Sequence, residues 1–176
     1  MMYKVGIITA SDKGFSGQRE DLSGPAIEEI LHGFPGFSIE RYTMVPDDHY
    51  VLANEMINMA DREGIDLVLT TGGTGFSKRD VTPEATLEVI ERKAPGIPEA
   101  MRYMSLQITP RAMLSRAEAG IRGNTLIVNL PGSPKAIKEI LAYILPSLEH
   151  GLDILQGNAT DCARPDDEIN KAPVVL

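Results

Sequence analysis

The pattern of apolar and polar positions changes period several times along the chain. Residues 4–10, KVGIITA, form an apolar run of strand length, and residues 37–45, FSIERYTMV, alternate in part with period two. Residues 65–73, IDLVLTTGG, are a short β-rich apolar run of the kind that fills the centre of a parallel sheet. Between these runs the spacing becomes helical. Pro25 opens a segment whose apolar face is Ala26, Ile27, Ile30 and Leu31. Asp47 or Asp48 caps a second helix, with Val51, Leu52, Met56, Ile57 and Ala60 on one face. Thr82 reads as the cap and Pro83 as the first residue of a third helix, which ends near Gly96; a further helix runs from Ile97 to about Ile108. Residues 117–130 then read as a hairpin around the turn RGN, and residues 131–155 return to helix, broken at Pro146.

This order predicts a three-layer α/β/α sandwich with a mostly parallel mixed sheet and one antiparallel edge strand. Residues 1–156 are expected to form one domain and residues 157–176, polar and proline-containing, a partly packed tail. Ligands of such sheets sit beyond the carboxyl ends of the strands. Three polar segments fall there: residues 11–24, 72–80 and 131–135.

Composition narrows the chemistry. The 176 residues carry a net charge of −8, which argues against a broad nucleic-acid surface but leaves room for a small anionic ligand. No apolar run reaches membrane-spanning length, no signal-peptide pattern opens the chain, and neither a membrane nor a nucleic-acid partner is expected. The lone Cys162 excludes an intrachain disulfide, suits a cytoplasmic setting and reads as an incidental thiol. His32, His49 and His150 lack metal-ligand spacing, so no zinc site is expected.

The cluster TTGGTG, Thr71, Gly72, Gly73, Thr74 and Gly75, has neither the Walker A nor the dinucleotide glycine order. Its glycines permit positive φ and close approach, so successive N–H groups could form an anion nest; a tight strand-to-helix turn is the alternative. Lys78 and Arg79 could offset phosphate charge. Asp80 could hold Mg²⁺ that bridges to phosphate oxygens, or could cap a loop. Ser11 and Asp12 follow the first strand and Asp47 the second, so both aspartates could reach the same edge. Pro131, Gly132, Ser133 and Lys135 lie in a second glycine turn, with Ser133 as a helix cap or ligand contact. Ser115 and Arg116 sit on the same rim, with Arg116 also readable as a solvated charge.

The blocks SDKG…G…D.SG at residues 11–24, VPDD at 45–48 and LVLTTGGTGFSKRDVTPEAT at 67–86 resemble the molybdenum-cofactor biosynthesis family of MogA/MoaB type. So do PGIPEAMR at 95–102, LSRAEAGIRGNTLIVNLPGSPKA at 114–136 and HGLDIL at 150–155. The resemblance spans nearly the whole chain. It implies a molybdopterin-binding α/β/α fold, a homotrimer, and adenylyl transfer from MgATP to the terminal phosphate of molybdopterin with release of pyrophosphate. It implies Asp47 and Asp80 as catalytic and Mg²⁺-holding residues and the two glycine turns as ligand-contacting. It also implies a transient contact with the molybdenum insertase. The alternative class is a non-catalytic molybdopterin carrier or partner-binding module.

Overall fold

The structure is a computed structural model that describes residues 2–158. A six-stranded sheet is built from β1 (Tyr3–Ala10), β2 (Phe37–Val45), β3 (Leu67–Thr71), β4 (Arg92–Lys93), β5 (Ala119–Arg122) and β6 (Thr125–Leu130), in the order β2-β1-β3-β6-β5-β4. The first four strands of that order are parallel, with Ala10 opposite Val45, Thr9 opposite Thr71, and Thr71 opposite Leu130. Their carboxyl ends therefore form one edge.

One face of the sheet is covered by α2 (Ser23–Leu31), α5 (Gly96–Leu106) and α6 (Pro134–Leu155), through Ile27, Leu31, Met101, Ile137, Leu141 and Leu145. The other is covered by α3 (His49–Asp61) and α4 (Thr82–Val89), through Leu52, Met56, Met59, Ala85 and Val89. β3 is buried at all five positions, as a strand sandwiched between helices must be. β2, at the sheet edge, keeps a mostly exposed centre, which explains its weaker alternation. The chain leaves β1 toward the first helical layer and β3 toward the second. The gap between these adjacent strands is thus the topological switch point, where open α/β sheets place their ligands.

The three-layer expectation holds, with local corrections. A single helical turn, α1 (Asp12–Phe15), opens the segment read as loop, because the Ser11 hydroxyl accepts from Gly14 N at 3.0 Å. α2 begins at Ser23 rather than Pro25. Asp48, not Asp47, caps α3, accepting from Tyr50 N and Val51 N at 3.0 and 3.1 Å. Thr82 is inside α4 rather than its cap. α4 stops at Val89, well short of Gly96, because the following backbone pairs with β5: Glu91 N donates to Ile121 O and Ala94 N to Ala119 O, both at 2.8 Å. That pairing makes β4, antiparallel to β5, the edge strand in place of the hairpin strand.

The helix predicted to break at Pro146 runs unbroken to Leu155. Pro146 and Ala142, whose carbonyl loses its partner, are both exposed, while the apolar stripe Ile144, Leu145, Leu148 and Leu152 stays buried. Of the expected tail, Gly157 and Asn158 close α6; residues 159–176, with Cys162, lie outside the described residues.

Candidate active site

A cleft of about 370 Å³ opens at the switch point. Thr9, Ala10 and Ser11 line it from β1, Thr71, Gly72 and Gly73 from β3, and Gly132 and Pro134 from the second glycine turn. Asp47 and Asp80 reach it from the β2–α3 and β3–α4 connections, and residues 19–23 add a further stretch of its lining. A second hollow, about 450 Å³ between α5 and α6, is lined by side chains such as Ile97, Ala100, Ile144 and Leu148. It is larger and more apolar, but it lies away from the strand ends and gathers no charged residue, so the first is the candidate site.

The first glycine turn requires its glycines. Gly72 has φ +90° and Gly73 φ +65°. A Cβ on Gly72 would sit 2.3 Å from Ala10 O, and one on Gly73 2.4 Å from Thr82 Oγ1. The turn's carbonyls are taken: Thr82 N donates to Gly73 O at 3.1 Å, and Thr82 Oγ1 to Gly72 O at 2.9 Å. Thr71 Oγ1 donates to Pro131 O at 2.8 Å and ties the two glycine turns together. Among the described residues no hydrogen bond engages the N–H groups of Gly72 and Gly73, so they are available to an anion.

The carboxylates differ in their surroundings. Asp12 and Asp47 each accept from the other's backbone N–H, at 3.0 and 2.9 Å. Arg79 grips Asp12 with two parallel bonds of 2.9 Å and holds its carboxyl below the ordinary range. Asp47 goes the other way. Burial pushes it up, the Asp12 N–H opposes this, and the Asp12 and Asp80 charges add to the rise. Asp80 accepts from Ser77 N at 2.8 Å and lies beside Gly75, where a Cβ would stand 2.9 Å from its carboxylate.

Arg116 is not a solvated charge. Its guanidinium donates to Gly75 O at 2.7 Å and Asp80 O at 2.5 Å and pairs with Glu84, while its backbone N donates to Thr74 O at 3.0 Å. It braces the glycine loop from behind. Burial pushes Glu84 up, but the Arg116 hydrogen bond and charge outweigh it and hold the carboxyl low.

Ser11, Asp47, Thr71, Gly72, Gly73, Asp80 and Gly132 thus come together in the cleft lining, while Asp12, Thr74, Gly75, Arg116 and Pro131 support it. Ser133 caps α6, accepting from Ala136 N at 3.5 Å, and Ser115 ends a 3-10 turn (Pro110–Leu114). Lys135 is 83% exposed and lies 3.9 Å from Glu139, one helical turn along α6.

The residue that sequence reasoning passed over is Asp21. Its carboxylate accepts from Ser23 N at 2.8 Å, Gly24 N at 3.2 Å, Thr9 Oγ1 at 2.8 Å and the Tyr42 hydroxyl. From just outside the cap position it takes up the first N–H groups of α2 and joins that helix to β1 and β2. Burial pushes Asp21 up, but these donors together hold it below the ordinary range, and Tyr42 is pushed up to about 12, first by burial and then by Asp21. The available signal was an aspartate just ahead of the Ser-Gly-Pro start of α2, one residue outside the usual cap position, which Leu22 holds.

Among the described residues no three His, Cys, Asp or Glu side chains gather as a metal cage. The pair Asp47 and Asp80 still fits Mg²⁺, which is commonly held by one or two carboxylates and completed by water and phosphate oxygens.

A family model described as a probable molybdopterin binding domain matches residues 6–150. The curated molybdopterin adenylyltransferase of Helicobacter pylori (strain J99) is 44% identical over 155 residues, 88% of each chain. That of Escherichia coli K12 is 44% identical over 139 residues, covering 78% of this chain and 71% of the relative. The crystal structure of the molybdopterin biosynthesis enzyme MoaB from Thermus thermophilus superposes with a TM-score of 0.84 at 51% identity, covering 89% of this chain and 98% of that one. With the fold, the cleft and the matched blocks in agreement, the chain belongs to the MogA/MoaB-type family of probable molybdopterin binding domains.

Proposed function

We propose that this protein is a molybdopterin adenylyltransferase, joining AMP from MgATP to the terminal phosphate of molybdopterin and releasing pyrophosphate. The observation that carries this reading is the 44% identity to enzymes of that name across the segment that builds the cleft.

The terminal phosphate is already ionised near neutral pH, so its attack on the α-phosphorus needs no strong general base. The tasks left to the protein are alignment and relief of repulsion between the anions. The Gly72 and Gly73 N–H groups supply fixed donors at the floor of the cleft. Asp47 and Asp80 would hold Mg²⁺, which when bound neutralises triphosphate charge. Arg79, through Asp12, fixes the connection that carries Asp47, and Arg116 fixes the loop that carries Asp80. The reading also includes assembly as a homotrimer, which light scattering tests directly.

Purified protein given ATP, Mg²⁺ and molybdopterin should release pyrophosphate and form adenylated pterin. Pterin binding without either product, beside an active control enzyme, would instead identify a carrier. Asp80→Asn keeps an oxygen for the Ser77 N–H but removes the charge. It should remain folded and lose roughly a hundredfold in turnover, the scale of removing one transition-state-stabilising group. Full turnover in that variant would remove Asp80 from the mechanism.

A further inference from the structure

The lining of the cleft is electrically lopsided. Its lining residues include four acidic ones, Glu20, Asp21, Asp47 and Asp80, against one basic one, Arg19. The neighbouring arginines are committed elsewhere, Arg79 to Asp12 and Arg116 to Glu84 and to two loop carbonyls. No hydrogen bond or ion pair among the described residues engages the Arg19 side chain. A polyphosphate entering this lining meets net negative charge, and Arg19 is the lining cation left to receive it.

The backbone carrying Arg19 is held on both sides. Gln18 N and Arg19 N both donate to Lys13 O, at 2.8 and 3.1 Å, after a turn at Gly17 with φ +73°. Two residues on, the Asp21 carboxylate fastens the chain to Thr9 of β1, Tyr42 of β2 and the first N–H groups of α2. Ser23 Oγ then donates to Gly132 O at 2.8 Å, joining this wall of the cleft to the second glycine turn. An arginine on a loop fastened this way loses less entropy on meeting its ligand than one on a free loop.

We propose that Arg19 binds a phosphate group of the nucleotide and that Asp21 is the positioning residue that latches its loop against the cleft. This rests on the adenylyltransferase reading for the identity of the anion.

The test is calorimetric titration of the full chain with MgATP and, separately, with pyrophosphate in Mg²⁺ buffer. Arg19→Ala should weaken both by about tenfold, the scale of one charge-assisted hydrogen bond, and Arg19→Lys should recover part of the loss. Arg62→Ala removes the same charge at the far end of α3 and should bind as wild type. Asp21→Asn should weaken both ligands, and adding it to Arg19→Ala should cost less than it does alone, the sign of a shared role. Should Asp21→Asn not fold, Tyr42→Phe loosens the same latch while keeping the carboxylate. Wild-type affinity for MgATP in Arg19→Ala, or an equal loss in Arg62→Ala, overturns the proposal. A wild-type protein that binds neither ligand overturns the nucleotide reading itself, a separate and recognisable result.

Discussion

Gly72→Ala isolates the demand that the cleft makes on the backbone. Gly72 adopts φ +90°, and leaving the right-handed regions costs an L-residue about 1–2 kcal/mol. The added Cβ would also lie 2.3 Å from the carbonyl oxygen of Ala10. That oxygen belongs to the last residue of β1, a backbone position held by pairing with Val45 of β2 and by the Thr9–Thr71 pair just before it, so it cannot swing away as a side chain would. Forced overpacking of this kind adds about 1–3 kcal/mol. Together they give about 2–5 kcal/mol, or roughly 4–20 °C in Tm for a chain of this length.

Gly123→Ala is the matched control. Its φ of +53° is also positive, but nothing lies within 4 Å of the added Cβ, so only the conformational cost applies. Urea unfolding of both variants at one protein concentration should place Gly72→Ala about 1–3 kcal/mol below Gly123→Ala. The same clash should displace the Gly72 N–H, and nucleotide affinity should fall with stability. Losses that agree within about 0.5 kcal/mol, the spread of neutral surface changes, would refute the claim that the β1 carbonyl dictates glycine here.

Asn129→Leu should destabilise by about 2–4 kcal/mol in the same assay, because fully buried Asn129 donates to Thr70 and Thr86 and accepts from Glu118 N, and unmet buried groups cost ~1–3 kcal/mol each. The Tyr42–Asp21 pair should give a pH signature at the alkaline end. Tyr42 is raised in the folded state, so its contribution is complete below pH 10 and is lost as pH climbs toward about 12; Tyr42→Phe should flatten that limb of the unfolding midpoint against pH. A limb equally steep in both proteins would place the alkaline transition elsewhere. Arg116→Ala should lower turnover more than Lys135→Ala, since Arg116 braces the loop of Asp80 while Lys135 is largely exposed, and parallel pyrophosphate assays would decide it.

Local rules carried much of this protein. Burial on both faces left β1 and β3 as short apolar runs, and the helical spacing of Ala26, Ile27, Ile30 and Leu31 and of Leu52 and Met56 marked their helices directly. The same reading named the glycine turns and Asp47 and Asp80, because loops at the carboxyl ends of parallel strands must share one edge. It left open which of Asp47 and Asp48 caps α3, since adjacent residues satisfy the same pattern and only the backbone direction decides.

What the sequence determined by itself, then, is the class of fold, the edge at which the cleft opens and the residue types gathered there, all of which follow from periodicity and chain order. The tertiary structure decided the partners. β4 exists because residues 91–94 meet β5, Pro146 is tolerated because Ala142 faces outward, and Arg116 became a brace because Gly75 and Asp80 carbonyls face it. Arg79 turned to Asp12 and left Arg19, a residue with no motif of its own, as the cation of the cleft. Hydrogen bonds and ion pairs between residues far apart in the chain depend on where the packed layers bring them, and no local periodicity encodes that.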